Sequence, residues 1–546
     1  MLEGYIQDLK KEFSGYNTQK LVKDTLAGLT VAAVALPLAL AFGVSSGADA
    51  GAGLITAIIA GLFIGVLSGA SYQISGPTGA MSAILIGLSQ TYGLQGVFIA
   101  SFLSGCLLFL ASLFKFGRLV SFIPTSVIVG FTSGIAIIIA LGQIDNFFGT
   151  NSMGSNALEK LWSYTSLGFT PHLSTVFFGV LVVVIMLVWP KKWGQYFPSS
   201  LAGIIIALAL QLFLQFDIQE VGTIPSTLFP EARLSITNIR LHELTQLMIP
   251  AISIAALGMI ESLLCGASAG KMKNEKLNAD RELMAQGIGN MLIPLFGGVP
   301  ATAAIARTSV AIKSGGQTRL VSVFHSFVLL ISMFLLGPLM SKIPLSALAG
   351  VLMMTAWRMN EWHEIKAIFN NRVKTNISQY LVTMLATIIF DLTIAIVIGI
   401  MISMILFVLN NSHLHITVTS VDQNRVRKSL NHSHEGTRII YLSGPIFFGT
   451  QGQVIQAYDQ LDSKTDAIIF SMRGVPSIDD SGIHELFDIV DRCKQDHRYI
   501  ILSGVQENVL CQMERHHFIE YIGGDHLCWD TITALELLDM IYEGEL

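Results

Sequence analysis

The chain has 546 residues, of which 52% are hydrophobic and only 13% charged, and its mean hydropathy is +0.60. Soluble globular domains carry about a quarter of their residues as charges, so lipid is the main solvent expected here. The formal net charge is −5 and the basic residues are dispersed, which excludes a nucleic-acid binder.

The N-terminal run MLEGYIQDLKKEF is charged and lacks the apolar stretch of a cleavable signal peptide. Residues 1–23 are therefore expected to form a cytoplasmic segment, with the first membrane span acting as the insertion signal. From 24 to 410 we expect a transporter domain of about fourteen apolar stretches, several of them short, Gly-rich or Pro-interrupted. In lipid an unwound backbone survives only where protein buries it or a cavity solvates it, so the broken stretches point to a site. In the first, LPLALAFGVSSG, Pro37 reads either as a simple kink or as a break that brings Leu38 and Phe42 to a cavity.

Two short patterns recur in the same order. S-G-P-T-G-A at 75–80 is echoed by G-V-P-A-T-A at 298–303, and Ile123-Pro124-Thr125-Ser126 with Gly130 by Ile343-Pro344-Leu345-Ser346 with Gly350. The Pro-to-Pro spacing is 47 residues in one half (77 to 124) and 44 in the other (300 to 344), which indicates a duplicated unit. If each unit holds seven spans, the second sits upside down relative to the first, the inverted repeat of secondary transporters. Proline suits the first turn of a helix. Pro77 and Pro300 therefore predict two opposed helix starts, with the amides of Thr78, Gly79 and Ala80, and of Ala301, Thr302 and Ala303, turned towards an anion near the bilayer midplane.

Arg307 falls seven residues after Pro300, two turns into that second helix, where it either adds positive field to the anion site or forms a structural ion pair. Glu261, within AISIAALGMIESLLCGASAG, is the clearest intramembrane carboxylate, and such groups mark proton or cation coupling. Burial favours its proton-carrying form and a nearby sodium ion its ionised form; the residue type alone is compatible with both. Asp391 is read as interfacial. Placing the N-terminus inside puts eighteen basic residues on the cytoplasmic side and only Lys160, Arg233, Arg240 and Lys342 opposite. That asymmetry predicts an even number of spans, with both termini cytoplasmic in a cell (inner) membrane.

After a linker at 411–436, residues 437–546 change character. RIIYLSG, DAIIFSM and RYIILSG read as buried strands, and SGIHELFDIVDRCKQ, ENVLCQMERHHF and TITALELLDMIYEG as amphipathic helices, giving a small α/β domain. Asp479 or Asp480 is placed to cap the helix that follows. No G-x-S-x-G elbow is present, so hydrolase chemistry is not expected. The histidines have no regular ligand spacing and the five cysteines form no C-x-x-C pair, so neither a metal nor a cofactor is expected.

ALPLALAFG in the first span, ISGPTGA before the third, LGMIESLL in the eighth and GGVPATAAIARTSVAIKSGGQTR around the tenth resemble the SulP family of sulfate permeases, which end in a STAS domain. The resemblance covers nearly the whole chain. It implies a membrane domain of seven plus seven inverted spans, a core moving against a gate, frequently a homodimer, and no enzymatic activity. It also implies an anion site at Leu38, Phe42, Pro77, Thr78, Gly79, Ala301, Thr302, Ile305, Ala306 and Arg307, with Glu261 at the coupling position. Many sulfate-transporting members have Gln where this chain has Leu38 and Ser where it has Ala306, so fewer side-chain donors are expected. Bacterial bicarbonate carriers share the first- and tenth-span segments but have Asp, with sodium coupling, at the position of Glu261. Asp480-Ser481-Gly482 resembles the loop phosphorylated in STAS anti-sigma-factor antagonists, which implies Ser481 as a regulatory site and a cytoplasmic protein partner. The expected function is proton-coupled sulfate symport, with sodium–bicarbonate symport, C4-dicarboxylate transport and a channel or receptor as alternatives.

Overall fold

The computed structural model describes residues 2–118, 123–154, 157–194, 197–235, 241–390, 392–421, 432 and 434–543. Asp391 and Arg240 lie outside them. The chain divides into two compact units, Met1–Met401 and Ile402–Leu546.

The first unit is helical apart from one short strand pair. An amphipathic α1 (Leu2–Glu12) leads to α2 (Thr18–Ser45), whose cap Asn17 accepts the Lys20 N–H. Tyr5 of α1 lies within 5.6 Å of both the Arg281 and Arg319 guanidiniums, which pair with Asp8 and Glu12. Helix α2 runs through Pro37 unbroken, against the break weighed from sequence. Its neighbours Ala35, Leu38, Ala39, Leu40 and Ala41 are all buried, and that packing holds the turn despite the missing N–H. Helix α3 (Ala50–Ile59) passes through a π turn, Ala60–Ile64, into α4 (Gly65–Leu67). Strand β1 (Ser75–Gly76) precedes α5 (Gly79–Leu113), two helices meeting at Gly93, whose φ of 67° suits only glycine.

There follow α6 (Thr125–Gly142), α7 (Ile144–Phe148), α8 (Ala157–Leu167), α9 (Leu173–Val188), α10 (Lys191–Gly194) and α11 (Ser199–Leu214). The second half opens with α12 (Leu241–Lys273) and α13 (Ala279–Leu292). It continues through β2 (Thr302–Ala303), α14 (Ile305–Lys313), α15 (Leu320–Met340), α16 (Leu345–Met359), α17 (Trp362–Asn370), α18 (Lys374–Ile389) and α19 (Leu392–Asn411). Pro124 and Pro344 are the N-caps of α6 and α16, so the I-P-x-S-x-x-x-G echo starts a corresponding helix in each half. Among the described residues six helical segments are long and apolar enough to cross a bilayer: α2, α3–α4, α5, α6–α7, α12 and α15. Helices α5 and α13 touch through Gly105 and Gly287, where an added Cβ would lie 2.6 Å from a backbone nitrogen of the other helix.

The second unit is a five-stranded sheet in the order β3 (His415–Ser420), β4 (Thr437–Ser443), β5 (Ala467–Gly474), β6 (Tyr499–Ser503), β7 (Leu527–Cys528), parallel except for the antiparallel β3 edge. Strand β3 lies within the stretch expected as a linker. Helices α20 (Gln453–Asp459), α21 (Asp480–Gln495), α22 (Glu507–Arg515) and α23 (Phe518–Ile522) cover one face, against Ile440, Ile468 and Phe470. Helix α24 (Thr531–Glu543) covers the other, against Ile439, Ile469 and Ile501. Burial on both faces is why these strands read as continuous apolar runs.

Glu485 of α21 accepts the N–H groups of Gly452, Val454 and Ile455 on Oε1 at 3.0, 3.1 and 3.3 Å, while its Oε2 has no partner among the described residues. Burial pushes this carboxyl above the ordinary glutamate value of about 4.3, against the pull of the three N–H groups. Its stabilising contribution is thus full below the unfolded value and is lost as pH rises through the folded one. Glu485→Gln keeps the acceptor oxygen and removes the titration. The fall in urea midpoint of this unit as pH is raised above about 4.3 is expected to become shallower, as read by Trp529 fluorescence.

Candidate anion site

The site begins with a backbone device. Strands β1 and β2 pair antiparallel, Ser75 with Ala303 and Gly76 with Thr302. Each strand feeds a helix, so α5 and α14 leave the pair in opposite directions with their N-termini brought together. Neither first turn has intrahelical acceptors for its N–H groups, and the two partial positive charges face a common space. Thr78 caps α5 through its Oγ1, which accepts the Met81 N–H at 3.4 Å.

Glu261 of α12 lies between the two strands' helices. Its Oε2 accepts the hydroxyls of Thr78 at 2.9 Å and Thr302 at 2.6 Å, and among the described residues no hydrogen bond reaches its Oε1. Arg307, 1% exposed, donates from Nη2 to the Pro77 carbonyl, tying α14 to the start of α5. Its Nη1 is buried without an acceptor among the described residues. A buried guanidinium N–H left unmade is costly, which makes this donor a candidate contact for an anion.

The two helix starts are not symmetric about their prolines. Helix α5 starts two residues after Pro77, but α14 starts at Ile305, five after Pro300. The N–H groups of Ala301 and Ala303, expected to face an anion, are instead bonded to Asn290 Oδ1 at 2.7 Å and Ser262 Oγ at 3.2 Å. The open amides of the second half are those of Ile305, Ala306 and Arg307. Arg307 accordingly sits in the first turn, not two turns in. Ile305 and Ala306 have exposed side chains, so what they turn to the site is backbone. Phe42 is 5% exposed and approaches Gly79: a Cβ there would lie 3.1 Å from its Cε1. Leu38, one turn earlier in α2, is buried in the same apolar cluster.

Sequence reasoning missed the residues that hold this geometry. Asn290 pairs both ways with Ala301, Nδ2 donating to its carbonyl at 2.9 Å, and Gln286 donates to Ser75 Oγ at 2.9 Å. Gly76 leaves room for Arg307, since a Cβ there would lie 2.3 Å from Nη1. None of these has a local signal; each acts on a partner distant in sequence. In the second unit Asp479 is the N-cap of α21, accepting the Gly482 N–H at 2.9 Å, and Ser481 is partly exposed in the first turn.

Fold and site define a polytopic membrane anion transporter that carries a soluble α/β unit. The sequence profile of the Sulfate permease family matches residues 21–386 and that of the STAS domain residues 430–534, so the chain belongs to the sulfate permease family. It is 33% identical over 527 residues to the putative sulfate transporter YvdB of Bacillus subtilis, covering 94% of this chain and 97% of that one. It is 28% identical over 538 residues to the bicarbonate transporter BicA of a Picosynechococcus strain, covering 94% of each. The murine anion transporter Solute Carrier 26 family member A9, solved in an inward-facing state, shares the fold over 96% of this chain and 92% of its own (TM-score 0.85, 16% identity). The transmembrane domain of a cyanobacterial BicA superposes with a TM-score of 0.63 at 28% identity, over 71% of this chain and 98% of that one. These relatives are transporters, and the resemblance read from the motifs holds.

Proposed function

We propose that the chain is a proton-coupled symporter of sulfate-sized oxyanions working by elevator-like alternating access. The observation that carries this reading is the placing of a carboxylate and a guanidinium at the same pair of helix starts: Glu261 Oε2 is held by Thr78 and Thr302, and Arg307, held to the Pro77 carbonyl, keeps Nη1 unpartnered among the described residues. The fixed charges are about +0.5 from each helix start and one from Arg307, against one negative charge on ionised Glu261. Protonating Glu261 raises the net field from about +1 to about +2. Anion and proton therefore favour each other's binding, and the linkage is reciprocal. The name of the Bacillus relative supports sulfate. The likeness to BicA supports a second reading, sodium–bicarbonate symport, in which Glu261 Oε1 holds the cation. Uptake into proteoliposomes under imposed proton or sodium gradients, with competition among sulfate, bicarbonate, oxalate and C4-dicarboxylates, tests both.

This proposal includes fourteen spans, a homodimer, and an N-terminus and STAS domain on the cytoplasmic side, the last resting on the basic-residue asymmetry. Phosphorylation of Ser481 is part of it too, with phosphopeptide mapping of the purified protein as its test. Gly76→Ala drives a methyl into the Arg307 guanidinium and is expected to raise the KM for the transported anion at least about tenfold, with surface expression retained. Radiolabelled uptake read against expression level checks it.

A further inference from the structure

A cavity of about 570 Å³ lies beside the site, between α5, α6, α12 and the corner where α18 meets α19. It follows the first segment of α5 from Gly79 to Tyr92, about 20 Å at 1.5 Å per residue, so one end reaches the helix start that forms half of the anion site. Lys160 of α8 lines it together with Gln143 and Phe390, the C-caps of α6 and α18. Among the described residues that line it, none is acidic and Lys160 is the sole charged one.

The remaining polar lining is mostly committed elsewhere. The hydroxyls of Ser82, Thr91, Ser253 and Thr387 all donate to carbonyls of their own helices, at 3.0, 2.9, 3.0 and 2.7 Å. Their hydrogens are not turned to an anion. Gln143 accepts Asn146 on Oε1, which leaves its amide hydrogens open. Among the described residues no ion pair or hydrogen bond engages Lys160 Nζ, and Lys160 is one of only four basic residues that the charge asymmetry puts on the non-cytoplasmic side. A cation with no partner in an apolar-walled cleft focuses its field along that cleft.

We propose that this cavity is the route by which anions reach the site from the non-cytoplasmic face, and that Lys160 draws them in and sets a preference for doubly over singly charged anions. The proposal rests on the anion-transport reading above and adds a residue outside the binding site. The attraction scales with the anion's charge, so its loss affects a dianion more than a monoanion. It is also screened by salt, with a Debye length of about 30 Å at 0.01 M and about 8 Å at 0.15 M.

The test is initial-rate uptake from the outer face by the full-length protein, for sulfate and for bicarbonate, at both ionic strengths. In Lys160→Gln the sulfate KM is expected to rise about threefold to tenfold at low ionic strength and much less at high. The bicarbonate KM should rise by about the square root of that factor, with maximal rates unchanged. Lys160→Arg should restore wild-type values and Lys160→Glu should exaggerate the defect. Unchanged KM in both the Gln and Glu variants, or a loss of maximal rate indifferent to salt and anion charge, overturns the role of Lys160 while leaving anion transport intact. Wild-type protein that carries no anion overturns the parent reading and this one with it.

Discussion

Glu261→Gln is expected to abolish accumulation driven by a pH gradient while sparing anion exchange. The glutamine amide reproduces the neutral acid: its oxygen can still accept Thr78 and Thr302, as Oε2 does at 2.9 and 2.6 Å, and its NH₂ occupies the place of a proton on Oε1. The variant is therefore locked in the proton-loaded state. With membrane potential clamped, a one-unit gradient supplies about 1.4 kcal/mol per coupled proton, enough for about tenfold accumulation. The wild type should reach that ratio and the variant none of it. Counterflow of labelled against unlabelled anion should proceed in both, because exchange requires no change in protonation. Accumulation by the Gln variant at the wild-type ratio would remove Glu261 from coupling, and accumulation set by sodium would favour the BicA-like reading.

Arg307→Ala is expected to cost at least about a hundredfold in uptake efficiency. Removing one partner of a buried charged contact commonly costs about 3–5 kcal/mol, because the group left behind is desolvated and unpaired. Here two groups are left behind, the Pro77 carbonyl and the arriving anion. Arg307→Lys keeps the charge but not the fork. A guanidinium can hold the Pro77 carbonyl with Nη2 and offer Nη1 to the anion, whereas an ammonium on a flexible stem offers point-like contacts. The Lys variant should fall between wild type and Ala, mainly in KM. Radiolabelled uptake with expression-matched proteoliposomes measures all three.

Hydrophobicity and charge placement are local properties of the chain, so they were legible without coordinates. They yielded the division into a membrane unit and a soluble one and the strands of the tail at 437–443, 467–474 and 499–503. The β3 edge strand was missed because half of its definition lies in β4, across a stretch with no periodic pattern. The proline echo marked two segments that the fold brings together as the β1–β2 pair. It misplaced the second helix start, because a helix beginning at Pro300 competes with Thr302 and Ala303 pairing to Ser75 and Gly76, and the pairing prevails.

By itself, then, the sequence determined the solvent of each unit of the chain, the duplicated plan and the residue types of the candidate site: a carboxylate, a guanidinium and two threonines. Only the tertiary structure decided which amides stay open, that both threonines converge on one oxygen of Glu261, and that Arg307 reaches the Pro77 carbonyl 230 residues away with one nitrogen to spare. The reason is range. Apolar period and charge act on neighbours along the chain, whereas the valence of a buried donor or acceptor is settled by whichever distant group the fold brings within about 3 Å of it.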